Sequence, residues 1–476
     1  MFFKAAGTEE LDAFYPIRPE CVANVPKTRF RPRAGKTLSA RRWQAAFSGD
    51  GHLDMAKVLR RIQRGGIHPS IKGVVWEFLL GCFNPESSFD DRNQLRQERR
   101  ERYETWKTEC QNMVPVIGSG KFITTPIITD DGQPIEVEGV PVISSVPDKK
   151  AAQWMLLLHQ IGMYGVPFHA QLIQFSLVYV DSRGLDVVRT DPALAFYEIE
   201  TNQAKLWDIL AVYSWMDNDI GYMQGMNDIC SPMVILFENE ADAFWCFERA
   251  MRRLRDNFRS DTTSIGVQSQ LVTLSHVIKT VDPKLHQHLE ELDGGEYLFA
   301  FRMLMVLFRR EFSFIDSLYL WEVINLCFSI AIWANAIVIV VLVRLEFESL
   351  RHRSASIPQV MWAMEYNPHI FLSYEAGDSS SDTNTAVTSD QKVLKQCGKF
   401  ERMNMQNGWS DKNGALSVFL IAGVLETKNK QILKEAKGID DIVSIMGDIV
   451  GNLDAKKACE NALKIQNKYL KKAKKQ

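Results

Sequence analysis

Two short segments carry residues whose types and spacing suit phosphate chemistry. The first is Leu185-Asp186-Val187-Val188-Arg189-Thr190-Asp191-Pro192, and the second is Gly221-Tyr222-Met223-Gln224-Gly225-Met226-Asn227-Asp228. A guanidinium delivered to a reacting phosphoryl group stabilises the negative charge that develops there, an effect worth roughly 10³–10⁵ in rate. A glutamine amide donates one hydrogen bond and accepts another, as orienting an attacking water requires. Asp186, three residues before Arg189, is spaced to hold the guanidinium. Taken alone, a DxxR spacing is most often a structural ion pair, and a YxQ triplet is a weaker signal still. The Thr-Asp-Pro after Arg189 caps and opens a helix, so the arginine belongs to a lead-in turn. Gly221 ends the polar turn Asp217-Asn218-Asp219, and a new helix starts beyond it. Both side chains therefore fall at N-terminal edges of helices, where they can reach a partner.

The elements that must position them are helical. In VLRRIQRGGIHPSIKGVVWEFLLG, the Gly65-Gly66 pair breaks one helix and Pro69 sits near the start of the next. Val75, Phe78 and Leu79 make an apolar face at helical spacing. Residues 90–113 are charged and helical in composition, and 118–149 are a Gly/Pro-rich loop or hairpin. Helical patterns return over 150–161, 193–216, 223–237, 241–258, 265–280 and 294–322, then near 413–435 and 438–475. Leu206, Leu210 and Tyr213 share a face, as do Phe244, Phe247 and Met251. Convincing alternating strands are absent outside 121–145 and no internal repeat is found, so the expected fold class is all-α. The expected organisation is a partly extended lead-in over 1–50, a main helical domain over 51–375, a polar linker over 376–391 (AGDSSSDTNTAVTSDQ), and a helical C-terminal part over 392–476 with a lysine-rich end.

Composition excludes several classes. The 476 residues are 46% hydrophobic and 24% charged, ordinary for a soluble globular protein. A net charge of −2 gives no push toward nucleic acid. The eight cysteines show no CxxC or His/Cys cluster, so neither a zinc site nor a disulfide framework is expected, and a reducing, cytoplasmic compartment is the simplest reading. The apolar run at the N-terminus is too short for a signal peptide.

With these residues in view, the two segments resemble the arginine-finger motif (IxxDxxR) and the glutamine-finger motif (YxQ) of TBC-domain Rab GTPase-activating proteins, and the likeness is greatest to plant-type members. GIHPSIKGVVWEFLLG resembles the family's first motif, with Trp76 at its tryptophan; the family's usual arginine four residues earlier is Lys72 here, which keeps the charge and loses bidentate geometry. Gly225, Asn227, Asp228 and Pro232 match the stretch after the glutamine, and LFRREFSFIDSLYLWE (307–322) matches a later family helix. The resemblance implies an all-α GTPase activator in vesicle traffic, with a Rab-type GTPase in its GTP form as partner and no substrate turnover of its own. It implies Arg189 and Gln224 as the two fingers, the glutamine replacing the GTPase's own, with Asp186 orienting Arg189. Tyr222, Gly225, Asn227 and Asp228 would shape the glutamine turn, and Lys72 and Trp76 would support the domain or the partner contact, Trp76 by packing. GTP and Mg²⁺ would come with the partner, so no cofactor is expected on this chain.

Two stretches depart from the family pattern. The residue three before Asp186 should be Ile and is Arg183; deleting 163–184 joins Ile161-Gly162 to Leu185-Asp186 and restores IxxDxxR. Deleting 323–359 likewise joins LYLWE to VMWAMEYNPHIF as one amphipathic helix. Both stretches read as introns translated in frame. Gly162-Met163-Tyr164 can be encoded with a donor-like GTATGT, and Gln359 can be CAG. Sequencing the transcript tests this; a mature message that keeps both in most molecules contradicts it. The insert beside Arg189 leads to an alternative: a catalytically weak or silent Rab-binding scaffold. The apolar run 326–343 gives two more, a buried core helix or a membrane span, the latter with 18 residues against the roughly 20 that a bilayer needs. The lysines of 456–475 read as a solvated helix end, with weak peripheral contact to anionic endomembranes as the alternative, each lysine near such a surface contributing about 1 kcal/mol.

Overall fold

A computed structural model describes residues 13–32, 35–122, 149–162, 186–259, 266–324, 400, 403 and 416–474. The insert 163–184, all of the insert 323–359 beyond residue 324, the apolar run 326–343 and the linker 376–391 lie outside the described residues, as does most of the loop expected over 118–149. Every regular element among the described residues is a helix; β-pairing is limited to isolated bridges. Among them no helix is long and apolar enough to cross a membrane.

The helices follow local signals. Helix α1 is Ala40–Gln44 and α2 is Met55–Gly65, capped at its start by the Asp54 carboxylate accepting from the Lys57 backbone N–H at 2.9 Å and closed by Gly66. Helix α3, Lys72–Leu79, follows a turn opened by Pro69. Helix α4, Phe89–Met113, starts in a reciprocal capping box between Ser88 and Asp91. Then come α5 (Lys149–Gly162), α6 (Asp186–Arg189), α7 (Glu200–Met216), α8 (Met226–Leu236) and α9 (Glu240–Leu254). They are followed by α10 (Gly266–Val281), α11 (Pro283–Glu291), α12 (Phe301–Met305) and α13 (314–324). The chain closes with α14 (Leu416–Glu435), α15 (Ile439–Gly447) and α16 (Ala455–Ala473).

Helix α7 is the hub. Its residues from Leu206 to Ser214 are all buried, because α4, α5, α8 and α9 pack around it. A helix apolar on every side belongs in such a place. Phe244, Phe247 and Met251 of α9 are fully buried, as their spacing predicts. Helix α14 presents a continuous apolar run, Val418–Ala422, to α10 and α16.

Three expected helices differ in extent. The pattern over 193–216 contains a 3₁₀ turn at Ala195–Glu198 before α7 begins at Glu200. The 438–475 pattern divides into α15 and α16 around the turn at Gly451. The 294–322 pattern is broken between α12 and α13, where Leu307 and Phe308 both take positive φ (48° and 59°). Trp321 Nε1 bonds the Leu307 carbonyl across that break at 2.8 Å. Periodicity alone cannot reveal the break, since the apolar residues keep helical spacing on both sides of it.

Within the expected lead-in, residues 13–31 are anchored to the helical core. Tyr15 and Phe30 are buried in the core; Phe30 stacks on Tyr319 at 4.2 Å, and its backbone N–H and that of Arg29 both donate to the Asp316 carboxylate at 2.8 Å.

Candidate functional site

Asp186 begins the single turn of α6 and Arg189 ends it, so the arginine falls at the C-terminal edge of a helix, and Thr190-Asp191-Pro192 forms a turn rather than opening the next one. One guanidinium nitrogen of Arg189 donates to Asp186 Oδ1, so the DxxR spacing closes as an i,i+3 ion pair. The other carboxylate oxygen, Oδ2, accepts from the Tyr222 hydroxyl at 2.8 Å. Tyr222 is two residues before Gln224. A single buried carboxylate thus links the turn that carries the arginine to the turn that carries the glutamine. Burial pushes the Asp186 carboxyl above its usual range, and the Arg189 guanidinium and the Tyr222 hydroxyl pull it back. The Tyr222 hydroxyl is itself held well above its ordinary value by burial and by Asp186, which keeps it a donor.

Asn227 completes the turn. Its Oδ1 accepts from the Gly225 N–H at 3.0 Å, and its Nδ2 donates to Thr190 Oγ1 at 2.8 Å. Thr190 in turn donates to the Asp186 carbonyl at 2.6 Å. Gly225 caps α8 in the left-handed region, φ +101°, and a Cβ there would lie 2.9 Å from Val306 Cγ1. A side chain is excluded both by conformation and by space. Gln224 is exposed and makes no hydrogen bond to the described residues. Exposed apolar residues flank Arg189 and Gln224: Val188 is 41% exposed and Met223 36%.

Asp228 accepts from Arg310 at 2.7 Å. Asp191, with φ +46°, accepts from Arg309 on one oxygen and from Ser231 Oγ of α8 at 2.6 Å on the other. Tyr197 donates to Ser231 Oγ at 2.9 Å. Sequence reading missed Asp191, Ser231, Arg309 and Arg310. The Arg309-Arg310 pair is visible in the sequence, but only the break after α12 aims it at the finger turns.

The expected anchor Ile161 is fully buried at the end of α5, and α5 packs directly against α6. The chain between them is long, yet the two elements meet.

Lys72 and Trp76 stand apart from this cluster. Both are buried, so neither is reached by a partner; each supports the domain from within. Lys72 Nζ donates to Glu322 Oε1, which also faces Trp76 Nε1 at 3.5 Å, and Glu322 Oε2 accepts from the Ile67 N–H at 3.3 Å. The backbone donor serves the second oxygen that an arginine fork would otherwise reach, which explains why lysine suffices. No cluster of His, Cys, Asp and Glu among the described residues is arranged to hold a metal ion.

Residues 180–349 match the Rab-GTPase-TBC domain. The chain is similar to Rab GTPase-activating protein 22 of Arabidopsis thaliana, 26% identical over 363 residues, covering 60% of this chain and 66% of that protein. It is similar to TBC1 domain family member 17 of Homo sapiens, 28% identical over 293 residues, covering 61% of this chain and 37% of that one. Residues 180–349 carry a TBC domain of the Rab-GAP type. The crystal structure of the Ypt/Rab-GAP domain of Gyp1p shares the fold, with TM-score 0.51 and 15% identity over 90% of this chain and 97% of that chain. The chain spans less than two thirds of the length of these two curated relatives.

Proposed function

We propose that this chain accelerates GTP hydrolysis by a Rab-type small GTPase in its GTP form. The observation that carries the reading is the Arg189–Asp186–Tyr222 linkage, which couples the two finger turns through one buried carboxylate. Arg189 would stabilise charge on the γ-phosphoryl oxygens, and Gln224 would orient the attacking water. GTP and Mg²⁺ arrive with the partner. Asp186 fixes the guanidinium before the partner binds, so the ordering cost is met in advance.

The test is GTP hydrolysis by a panel of Rab-type GTPases with the wild type, Arg189→Ala and Gln224→Ala. The arginine variant is expected to lose roughly 10³-fold or more of the acceleration. A wild type that binds GTPases yet accelerates none would establish the silent scaffold instead.

We also propose weak peripheral contact with anionic endomembranes on the cytoplasmic side. The exposed lysines Lys464, Lys468 and Lys471 of α16, with Lys474 just past its end, support it, since clustered lysines are drawn to anionic lipid. Equal sedimentation with anionic and neutral vesicles would contradict it.

A further inference from the structure

The segment from Tyr15 to Phe30 crosses the face that carries Arg189, far in sequence from the finger motifs and outside the matched region 180–349. It is tied at both ends. At the first, Ile17 pairs antiparallel with Leu194, Arg18 N–H donates to the Ala193 carbonyl at 2.8 Å, and Ala195 N–H donates to the Pro16 carbonyl at 2.9 Å. At the second, Asp316 accepts from the Arg29 and Phe30 N–H groups. Between these ties Val25, Pro26 and Thr28 form one side of a cleft of about 410 Å³, and Arg189, Asp191, Asn227, Asp228 and Arg310 line it as well.

The cleft therefore begins at the arginine finger. Its charges are matched internally: Arg309 pairs with Asp191 and Arg310 with Asp228. The strap contributes mainly apolar surface to it. A free phosphate gains little from such a lining, whereas a polypeptide loop with an apolar side chain gains much.

We propose that Tyr15–Thr28 is a partner-contacting wall that receives a loop of the GTP-loaded GTPase lying beside its nucleotide, and so determines which GTPase is accepted. This rests on the GTPase-activating reading above. A body that presents a nucleotide to Arg189 must bring polypeptide next to that nucleotide, and this cleft adjoins Arg189.

The test uses the full chain with Val25→Asp, Thr28→Arg and the milder Val25→Ala. Val22→Asp serves as control, because Val22 is 60% exposed and does not line the cleft. For each GTPase that the wild type accelerates, kcat and KM are measured, with thermal melts run alongside. The wall variants are expected to raise KM about tenfold for the preferred GTPase, or to reorder the panel, with kcat within about twofold; Val22→Asp should match the wild type. If Val25→Asp does not fold, Val25→Ala and Thr28→Arg give the same reading. An unchanged KM for every GTPase, or a loss confined to kcat, overturns the wall while leaving the activator reading intact. A wild type that accelerates no GTPase overturns both.

Discussion

At the residue scale, Asp186 does two jobs with its two oxygens, one toward each finger turn. Asp186→Asn keeps an oxygen acceptor and loses the charge that holds Arg189. The expected outcome in single-turnover GTP hydrolysis is a fall in kcat of about 10–100-fold, since small displacements of a positioned group are costly. KM should change little, and Tyr222→Phe should cost less than Asp186→Asn because it leaves the arginine pair in place. A second carboxylate has a different consequence. Asp208, on the buried hub helix, lies beside Lys107 and accepts from the Gly118 N–H at 3.0 Å, while its Oδ1 has no hydrogen-bond partner. Burial, with help from Glu240, pushes its carboxyl up from 3.8 to about 7. The folded state therefore holds a proton that the unfolded chain releases near pH 4. Stability from this group is greatest at low pH, falls as pH rises from about 4 to about 7, and is level above that. Urea melts at pH 5 and 7.5 should show a smaller drop for Asp208→Asn than for the wild type; identical drops would contradict the assignment.

At the element scale, the finger turn is short, and a four-residue helix does not hold itself. It is held by neighbours: α5 packs on it, α8 reaches it through Asn227 and Ser231, and the break after α12 sends Arg309 to Asp191. The left-handed backbone at Leu307 and Phe308 is what turns Arg309 toward the site, and such strain persists only where surrounding structure enforces it. Asp191→Ala removes the meeting point of α6, α8 and this segment. It should lower kcat about tenfold or more and reduce thermal stability. Adding Arg309→Met should recover part of the stability, because the uncompensated buried charge is gone, without recovering the rate. Equal recovery of both would mean that Asp191 only stabilises.

At the scale of the whole molecule, elements hundreds of residues apart close one core. Lys72 of α3 pairs with Glu322 of α13, both almost wholly buried, and burial pushes the Glu322 carboxyl up against the pull of Lys72. Lys72→Ala leaves a buried carboxylate with no cation and should destabilise the fold by about 3–5 kcal/mol, read from denaturant melts. Lys72→Met together with Glu322→Gln should cost far less, since no unpaired charge remains. The C-terminal helices join the same core: Phe419 of α14 lies 5.9 Å from Tyr469 of α16, and Lys472 donates to the carbonyl oxygens of Thr280 and Val281 at the end of α10.

Much of this was legible without coordinates. Helical periodicity and caps are local, so α2, α4, α9 and α10 could be read within a few residues, and the all-α class followed from them. Asp186 and Arg189 were legible as a pair because their spacing lies within one turn, and Arg189 and Gln224 stood out as candidates because both short motifs resemble those of a known family in the same order. Asp191, Ser231, Arg309 and the strap were not. Their roles come from pairings across 40 to more than 100 residues, such as Ser231 with Asp191 and Arg309 with Asp191. A residue's local pattern carries no record of a distant partner. Lys72 shows the same limit: its charge could be read from the sequence, while its burial, and the Ile67 N–H that stands in for a second guanidinium nitrogen, belong to packing alone. The sequence, through its motifs, marked Arg189 and Gln224 as the candidate residues; tertiary structure decided how their turns are held, because the holding groups come from helices that only folding brings together.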